Sequence, residues 1–255
     1  MPPRTDLFNN RQRANSFGGA AQRYETNRPH YPDALIDDLV ALGVRTCLDV
    51  GAGTGKASKQ LAERGVEVLA VEPDERMAAI ARSKSIPTEV ATFERWEPAG
   101  RRFDLVVFAS SFHWVDPAVA LPKVAALLNQ GGRLALLWNR LRPTHPSNED
   151  LSEIYRDYVD PDEHRRDHSP HPVLATLRSA GFEITQNEYP RTLTLSRDDW
   201  LELLFTFSRY LTLPEDKAAE LRARLAERIG DSEVTVGGNA LAVVATPVAE
   251  PVPAT

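Results

Sequence analysis

Three glycines at alternate positions, Gly51, Gly53 and Gly55, sit where an apolar run gives way to a helical pattern: Leu48-Asp49-Val50-Gly51-Ala52-Gly53-Thr54-Gly55, then Lys56-Ala57-Ser58. Glycine allows a sharp turn and lets a ligand approach the main chain where a Cβ would intrude. A helix starting there points free N–H groups at whatever fills the crevice. Glu72 closes the next apolar run, about 20 residues further on, where a carboxylate can accept from both hydroxyls of a ribose. A glycine loop alone is a weak signal. With a strand before it, a helix after it and an acid ending the next strand, it points to an adenosine ligand.

Spacing narrows the choice. Dinucleotide sites use G-x-G-x-x-G, which rests a pyrophosphate on the helix start. Here the order is G-x-G-x-G, and Lys56 stands where the final glycine would come. That argues against an NAD(P)-dependent oxidoreductase. Asp162-Glu163-His164, Asp167-His168 and His171 form the other chemical cluster, but their spacing matches no zinc pattern and Pro161, Pro170 and Pro172 interrupt them. They are expected to be a solvated lid, with no metal. Arg222, Arg224 and Arg228 alternate with Glu220 and Glu227, as on a solvated helix face.

The elements around the motif follow from hydrophobic periodicity. Strands are expected at Cys47–Val50, Val66–Val71, Thr88–Ala91, Phe103–Ala109 and Arg133–Trp138. Helices are expected at Lys56–Arg64, around Met77–Ala81, and at Ala118–Leu128. Strands apolar on both faces and separated by helices imply a parallel sheet covered on both sides. Right-handed crossovers make this a doubly wound α/β fold. Further on come a helix near Asn148–Val159, one ending at Gly181, a strand at Phe182–Leu195, two helices carrying Leu201, Leu204, Phe205 and then Ala218, Leu221, Leu225, Ile229, and a last, antiparallel strand at Val234–Thr246.

Gly51-Ala52-Gly53-Thr54-Gly55, Glu72-Pro73, Phe103-Asp104-Leu105-Val106-Val107 and Gly131-Gly132-Arg133-Leu134 resemble the motifs of class I S-adenosylmethionine-dependent methyltransferases. Phe17-Gly18, Tyr24, Arg28-Pro29-His30-Tyr31-Pro32 and Ser111-Phe112-His113-Trp114-Val115-Asp116 resemble the small-molecule branch related to trans-aconitate and ubiquinone-pathway methyltransferases, of the methyltransferase domain 11 type. The resemblance covers roughly residues 15–140. It implies a seven-stranded, mostly parallel, Rossmann-like sheet with an N-terminal helical cap and a helical lid, and S-adenosylmethionine as cofactor. It also implies that Gly51, Ala52, Gly53 and Gly55 pack on the methionine and ribose portions and that Glu72 holds the ribose. Pro73, Thr92 and Phe93 would border the adenine, and Ala109 and Ser110 would lie under the methionine tail. Tyr24 and Arg28 would close over the cofactor, Arg28 meeting the methionine carboxylate.

His113 follows the fourth strand on the edge where this fold binds ligands. It is either a general base or an imidazole that holds its loop. Trp114 would be packing or a wall for the acceptor. Trp138, Asn139 and Arg140 would line the acceptor pocket. Polarity around Arg140, His113 and Arg209 fits a polar acceptor such as a carboxylate, phenol or sugar. Base-amino methyltransferases carry an Asn/Asp-Pro-Pro-aromatic motif where this chain has Ser110-Ser111-Phe112-His113, which counts against a macromolecular substrate. A protein that binds the cofactor without catalysis is the remaining reading.

Composition bounds the rest. The 255 residues carry 42% hydrophobic and 26% charged side chains, ordinary globular usage, with a net charge of −6 that favours neither nucleic acid nor an anionic membrane. The single cysteine, Cys47, lies in an apolar run and reads as a small buried side chain in a reducing cytoplasm. No apolar run reaches the roughly 20 residues of a membrane span. The expected organisation is a loose arm at 1–20, one domain at 21–246 with lid segments 141–172 and 197–228, and a disordered tail at 247–255. The expected partner is a small molecule, and a homodimer is compatible with the sequence.

Overall fold

Phe103–Ala109 alternates its side chains between two apolar layers, and the fold is organised around that strand. Val106 and Phe108 pack on one face with Phe93, Phe112, Leu121 and Val124. Leu105 and Val107 pack on the other with Leu35, Ile36, Leu39 and Leu61. Complete burial of each such side chain contributes about 1.5–3 kcal/mol.

The computed structural model describes residues 7–159 and 171–248. Seven strands form one sheet: β1 (Thr46–Val50), β2 (Glu67–Val71), β3 (Thr88–Glu89), β4 (Phe103–Ala109), β5 (Leu128–His145), β6 (Phe182–Leu195) and β7 (Val234–Pro247), in the order β3-β2-β1-β4-β5-β7-β6. β1 runs parallel to β2 and β4, and β4 parallel to β5. β7 is antiparallel to both β5 and β6. The order reverses between β1 and β4, which opens a crevice at their carboxyl ends.

Helices cover the sheet. They are α1 (Arg11–Ala14), α2 (Ala21–Asn27), α3 (Asp33–Val40), α4 (Lys56–Ala62), α5 (Glu75–Ser83), α6 (Pro117–Leu127), α7 (Asn148–Arg156), α8 (His171–Ser179), α9 (Arg197–Leu204), α10 (Ser208–Leu211) and α11 (Glu215–Ile229). A third apolar cluster joins Leu151 and Tyr155 of α7, Trp200 and Leu204 of α9, Tyr210 of α10 and Leu221 and Leu225 of α11 to Val234 and Val236 of β7. This is the body of the lid.

Three expectations change. Residues 7–20 form short helical turns and α1 where a loose arm was expected. β5 continues to His145, so residues 141–145 are strand instead of lid. The extension pairs with residues 235–238 of β7, which satisfies backbone groups that a buried loop would leave open. At the C-terminal end, Pro247 belongs to β7 and the Val248 amide donates to Gly181 O at 2.8 Å, while residues 249–255 lie outside the described residues. So does the acidic and histidine cluster at 162–168. No described helix is long and apolar enough to cross a membrane.

Asp104 sets the register at the amino edge. Its Oδ2 accepts from the amides of Arg45 and Thr46, both at 3.0 Å, and its Oδ1 accepts from Asn129 Nδ2 at 2.8 Å. The Asn129 bond, followed by these amides, holds the carboxyl below its ordinary range. A depressed folded pKa gives stability that is present above the unfolded value and lost as pH falls through the folded one. Asp104→Ala is therefore expected to lower unfolding stability by about 2–4 kcal/mol near neutrality in urea titrations, with the difference shrinking below about pH 4.

Candidate active site

The glycine turn is built from the end of β1. Gly51 N and Ala52 N both donate to Val71 O, at 2.8 and 3.2 Å, which ties the turn to the end of β2. Gly51 has φ +63°, and a Cβ there would lie 2.6 Å from the Ser111 Cβ. The Ser111 hydroxyl in turn donates to Val50 O. Gly53 keeps its amide for Glu72: N to Oε2 is 2.8 Å. The other Glu72 oxygen accepts from Asp74 N at 3.0 Å. Each carboxylate oxygen thus spends one lone pair on backbone and keeps one for a ligand.

Gly55 acts differently from expectation. It starts α4 at φ +75°, and a Cβ would stand 3.0 Å from the Ala81 Cβ of α5. It is absent from the lining of both cavities described below, and its smallness serves helix–helix approach.

Two cavities meet at the crevice. The larger, about 260 Å³, runs from Gly51–Gly53 past Glu72, Pro73 and Met77 to Thr92 and Phe93, under a roof of Asn15, Phe17 and Tyr24. Glu72, Asp74 and Glu94 line it, with no Lys, Arg or His among the described residues. The smaller, about 60 Å³, lies between Arg28, Tyr31, Asn139 and the α9 side chains Trp200 and Leu203. Tyr24, Ala52, Ala109 and Ser110 line both.

Two carboxylates under the crevice are electrostatically unusual. Burial pushes Glu72 up to about 7, opposed by the amides of Asp74 and Gly53. Burial also pushes Asp49, fully inaccessible at the end of β1, up to about 6, opposed by the Ser58 hydroxyl that donates to its Oδ2 at 2.6 Å. Among the described residues its Oδ1 has no hydrogen-bond partner. Ser110 follows β4 at φ +59°, a conformation that costs a non-glycine residue about 1–2 kcal/mol. It is held by its own amide, which donates to Leu137 O at 2.8 Å, and by the Tyr31 hydroxyl, 3.1 Å from its Oγ.

The larger cavity gathers Tyr24, Gly51, Ala52, Gly53, Glu72, Pro73, Thr92, Phe93, Ala109 and Ser110, the positions that the resemblance assigns to the cofactor, and with them Trp114, whose expected place was packing or the wall for the acceptor. Arg28 faces the smaller cavity, where its Nε and Nη2 donate to Thr206 Oγ1 and O at 2.8 and 3.1 Å. Its guanidinium also lies over the Phe207 ring at 3.8 Å.

Besides Gly55, three expected positions fall outside: His113, Trp138 and Arg140. His113 is exposed and lines neither cavity, because successive residues of a 3-10 turn point about 120° apart and Phe112 takes the inward place. Trp138 and Arg140 are mid-strand, since β5 runs on past them. Trp138 packs against the core, and Arg140 bridges β7 and β6 through Asn239 Oδ1 at 2.8 Å and Glu188 Oε1 at 2.6 Å. Asn139, on the opposite strand face, lines the smaller cavity and donates to Pro29 O at 3.1 Å, pinning the Arg28–Pro32 segment. Arg209 is buried in α10 and lines neither cavity. Among the described residues, no group of three His, Cys, Asp or Glu could hold a metal.

Sequence reasoning passed over Asp49, Tyr31, Asn15 and Trp200. Asp49 stands inside the glycine motif and Tyr31 inside Arg28-Pro29-His30-Tyr31-Pro32, so both were available from local pattern. Nothing local marks Asn15 or Trp200, which fold onto the crevice from far along the chain.

A family model described as a methyltransferase domain matches residues 48–136. An uncharacterized methyltransferase of Mycobacterium tuberculosis is 33% identical over 231 residues, 89% of this chain and 91% of the relative. Malonyl-[acyl-carrier protein] O-methyltransferase of Herminiimonas arsenicoxydans is 27% identical over 212 residues, 80% and 78% of the two chains. The chain belongs to the methyltransferase family, and it is an enzyme of that class. Among solved structures, phosphoethanolamine N-methyltransferase 2 of Haemonchus contortus, in complex with phosphomonomethylethanolamine and S-adenosylhomocysteine, shares the fold with TM-score 0.54 and 16% identity, over 95% of this chain and 59% of that one.

Glu72, with its raised pKa, is expected to set the pH dependence of nucleoside binding. Only the carboxylate form accepts from both ribose hydroxyls, so affinity for S-adenosylhomocysteine is expected to rise with pH through about 7 and to fall up to about tenfold per unit below it. Titration calorimetry from about pH 6 to about pH 8 checks this. Glu72→Gln is expected to flatten the profile and weaken binding at least about tenfold.

Proposed function

We propose that this methyltransferase moves a methyl group from S-adenosylmethionine to a small-molecule acceptor. The observation that carries the reading is Glu72, buried beside the Gly53 amide with a free lone pair on each oxygen, in a cavity lined by three carboxylates and no cation. That environment favours a cationic nucleoside over a polyphosphate. When bound, S-adenosylmethionine supplies a methyl group activated by its sulfonium, and transfer leaves a neutral thioether.

The protein's task is then to hold the two partners in line and dry. Positioning of that kind contributes roughly 7–11 kcal/mol. Glu72 anchors the ribose, and Pro73, Met77 and Phe93 give the base apolar contact. Tyr24, Ala52, Ala109 and Ser110, shared by the two cavities, mark where donor and acceptor meet. Phe17 closes the roof by edge-on contacts with Tyr24 and Trp114, both at 6.0 Å between centroids. A concave site between cap and lid, on a chain of net charge −6, fits a small molecule better than a nucleic acid. The lone cysteine, buried and pushed well above its ordinary pKa by desolvation, fits a reducing cytoplasmic setting.

The test is methyl-labelled S-adenosylmethionine incubated with a cell extract divided into metabolite, protein and nucleic-acid fractions. Label is expected in the metabolite fraction, and label confined to a macromolecular fraction overturns the acceptor class. His113 stands apart from both cavities, so His113→Ala is expected to keep the transfer rate within about threefold. A loss beyond about a hundredfold, the range of a general base, would return the imidazole to the chemistry.

A further inference from the structure

One wall of the larger cavity comes from a weakly anchored part of the chain. Residues 91–94 follow β3, and β3 joins the sheet through two residue pairs, Ala70 with Thr88 and Val71 with Glu89. Beyond it the chain makes a single helical turn: Arg95 N and Trp96 N both donate to Thr92 O, at 3.1 and 2.9 Å. One turn is too short to hold itself, because it fixes several dihedrals for few hydrogen bonds. Its last carbonyls also need partners.

α6 supplies them. Lys123 Nζ donates to Phe93 O at 2.7 Å and to Trp96 O, and stands 3.5 Å from Glu94 O. An ammonium has three donors and no acceptor, so three carbonyls converging on it use its full capacity. The same Nζ lies 5.0 Å from the Phe93 ring centroid and 5.6 Å from that of Trp96, two rings stacked at 6.4 Å. Burial lowers the Lys123 pKa, and the charges of Glu97 and Glu94 oppose the shift. α6 is itself fixed, since Leu121 and Val124 share the buried core with Val106 and Phe108 of β4. A well-packed helix thus grips a short turn through one side chain.

The larger cavity meets the smaller one at Tyr24, Ala52, Ala109 and Ser110, and Glu72 takes the ribose. The base then falls to the remaining end, where Ala91, Thr92, Phe93 and Glu94 form the wall. Lys123 is not among the lining residues, so it acts on a ligand through that turn. We propose that Lys123 is a positioning residue for the cofactor: its ammonium, bonded to the carbonyls of Phe93 and Trp96, fixes the wall on which the nucleoside base rests. The assignment rests on the larger cavity being the cofactor site.

Lys123→Met keeps the length of the stem and removes the donors. Calorimetry on the full chain is expected to show S-adenosylhomocysteine and 5′-methylthioadenosine each weakened about tenfold by this change. The second ligand has no net charge and no amino-acid tail, so an equal loss places the effect at the base. Hydrogen exchange is expected to run at least about tenfold faster at residues 92–96 of the ligand-free variant, with β1 and β4 exchanging as in the wild type. Lys123→Arg, which still offers donors to the carbonyls, is expected to bind both nucleosides within about threefold of the wild type. The proposal is overturned if Lys123→Met binds both nucleosides as the wild type does, if only S-adenosylhomocysteine weakens, or if binding weakens without faster exchange at 92–96. It is also overturned if β1 and β4 loosen to the same extent, or if Lys123→Arg behaves like Lys123→Met. Failure of the cofactor reading looks different: the wild type would give no heat with either nucleoside.

Discussion

One hydrogen bond, from the Gly53 amide to the Glu72 carboxylate, couples the first two strands at the place where the molecule works. It requires the main chain to pass close to β2 without side chains in the way, and so it requires the glycine turn. It requires β1 and β2 to lie side by side in parallel register, Val50 opposite Val71, and so it requires the crossover helix α4 between them. It also keeps an acid nine-tenths buried beside a cavity, which only backbone donors and a polar ligand can make tolerable. Asp104 performs the matching service at the amino edge, where misregister would flip every core side chain to the wrong face.

The covering elements are fastened to this frame from several directions. α2 reaches α5 and α4 through Glu25, 3.0 Å from Lys84 and 3.8 Å from Lys56. It reaches the lid through Arg23 and Glu202 and through Arg28 and Thr206. α1 reaches α10 through Arg13 and Ser208 at 2.9 Å. The exposed pair of Arg23 and Glu202 contributes little energy by itself. The half-buried bonds of Arg28 and Lys56 matter more, because an unmet guanidinium or ammonium there would be costly. Cap and lid thereby act together as walls of the smaller cavity, and neither would define it alone.

The strain at Ser110 belongs to the same design. A left-handed residue at the end of β4 is held by the Leu137 carbonyl and sits beside the Tyr31 hydroxyl, so β5 and the segment after α2 both fix the point where the two cavities join. Strained residues of this kind persist where the surroundings over-determine them.

Much of this was written locally. The alternation and apolarity of residues 103–109, the glycine spacing after Val50 and the acid after Val71 each depend on neighbours a few positions away, so the doubly wound sheet and most of the lining of the larger cavity could be read from the chain. Tertiary structure decided what depended on partners far along it. Strand pairing with β7 carried β5 past Trp138 and turned Arg140 toward Glu188. The 3-10 turn put Phe112 inward and left His113 in solvent. Packing against α5 made Gly55 a helix-contact residue. Residues 7–20 pack through distant partners, Phe17 on Tyr24 and Trp114 and Arg13 on Ser208, and Trp200 lines a cavity because the lid lies over the ends of β4 and β5. Periodicity records which side of an element is buried, but not what it is buried against, and that second fact shaped the smaller cavity.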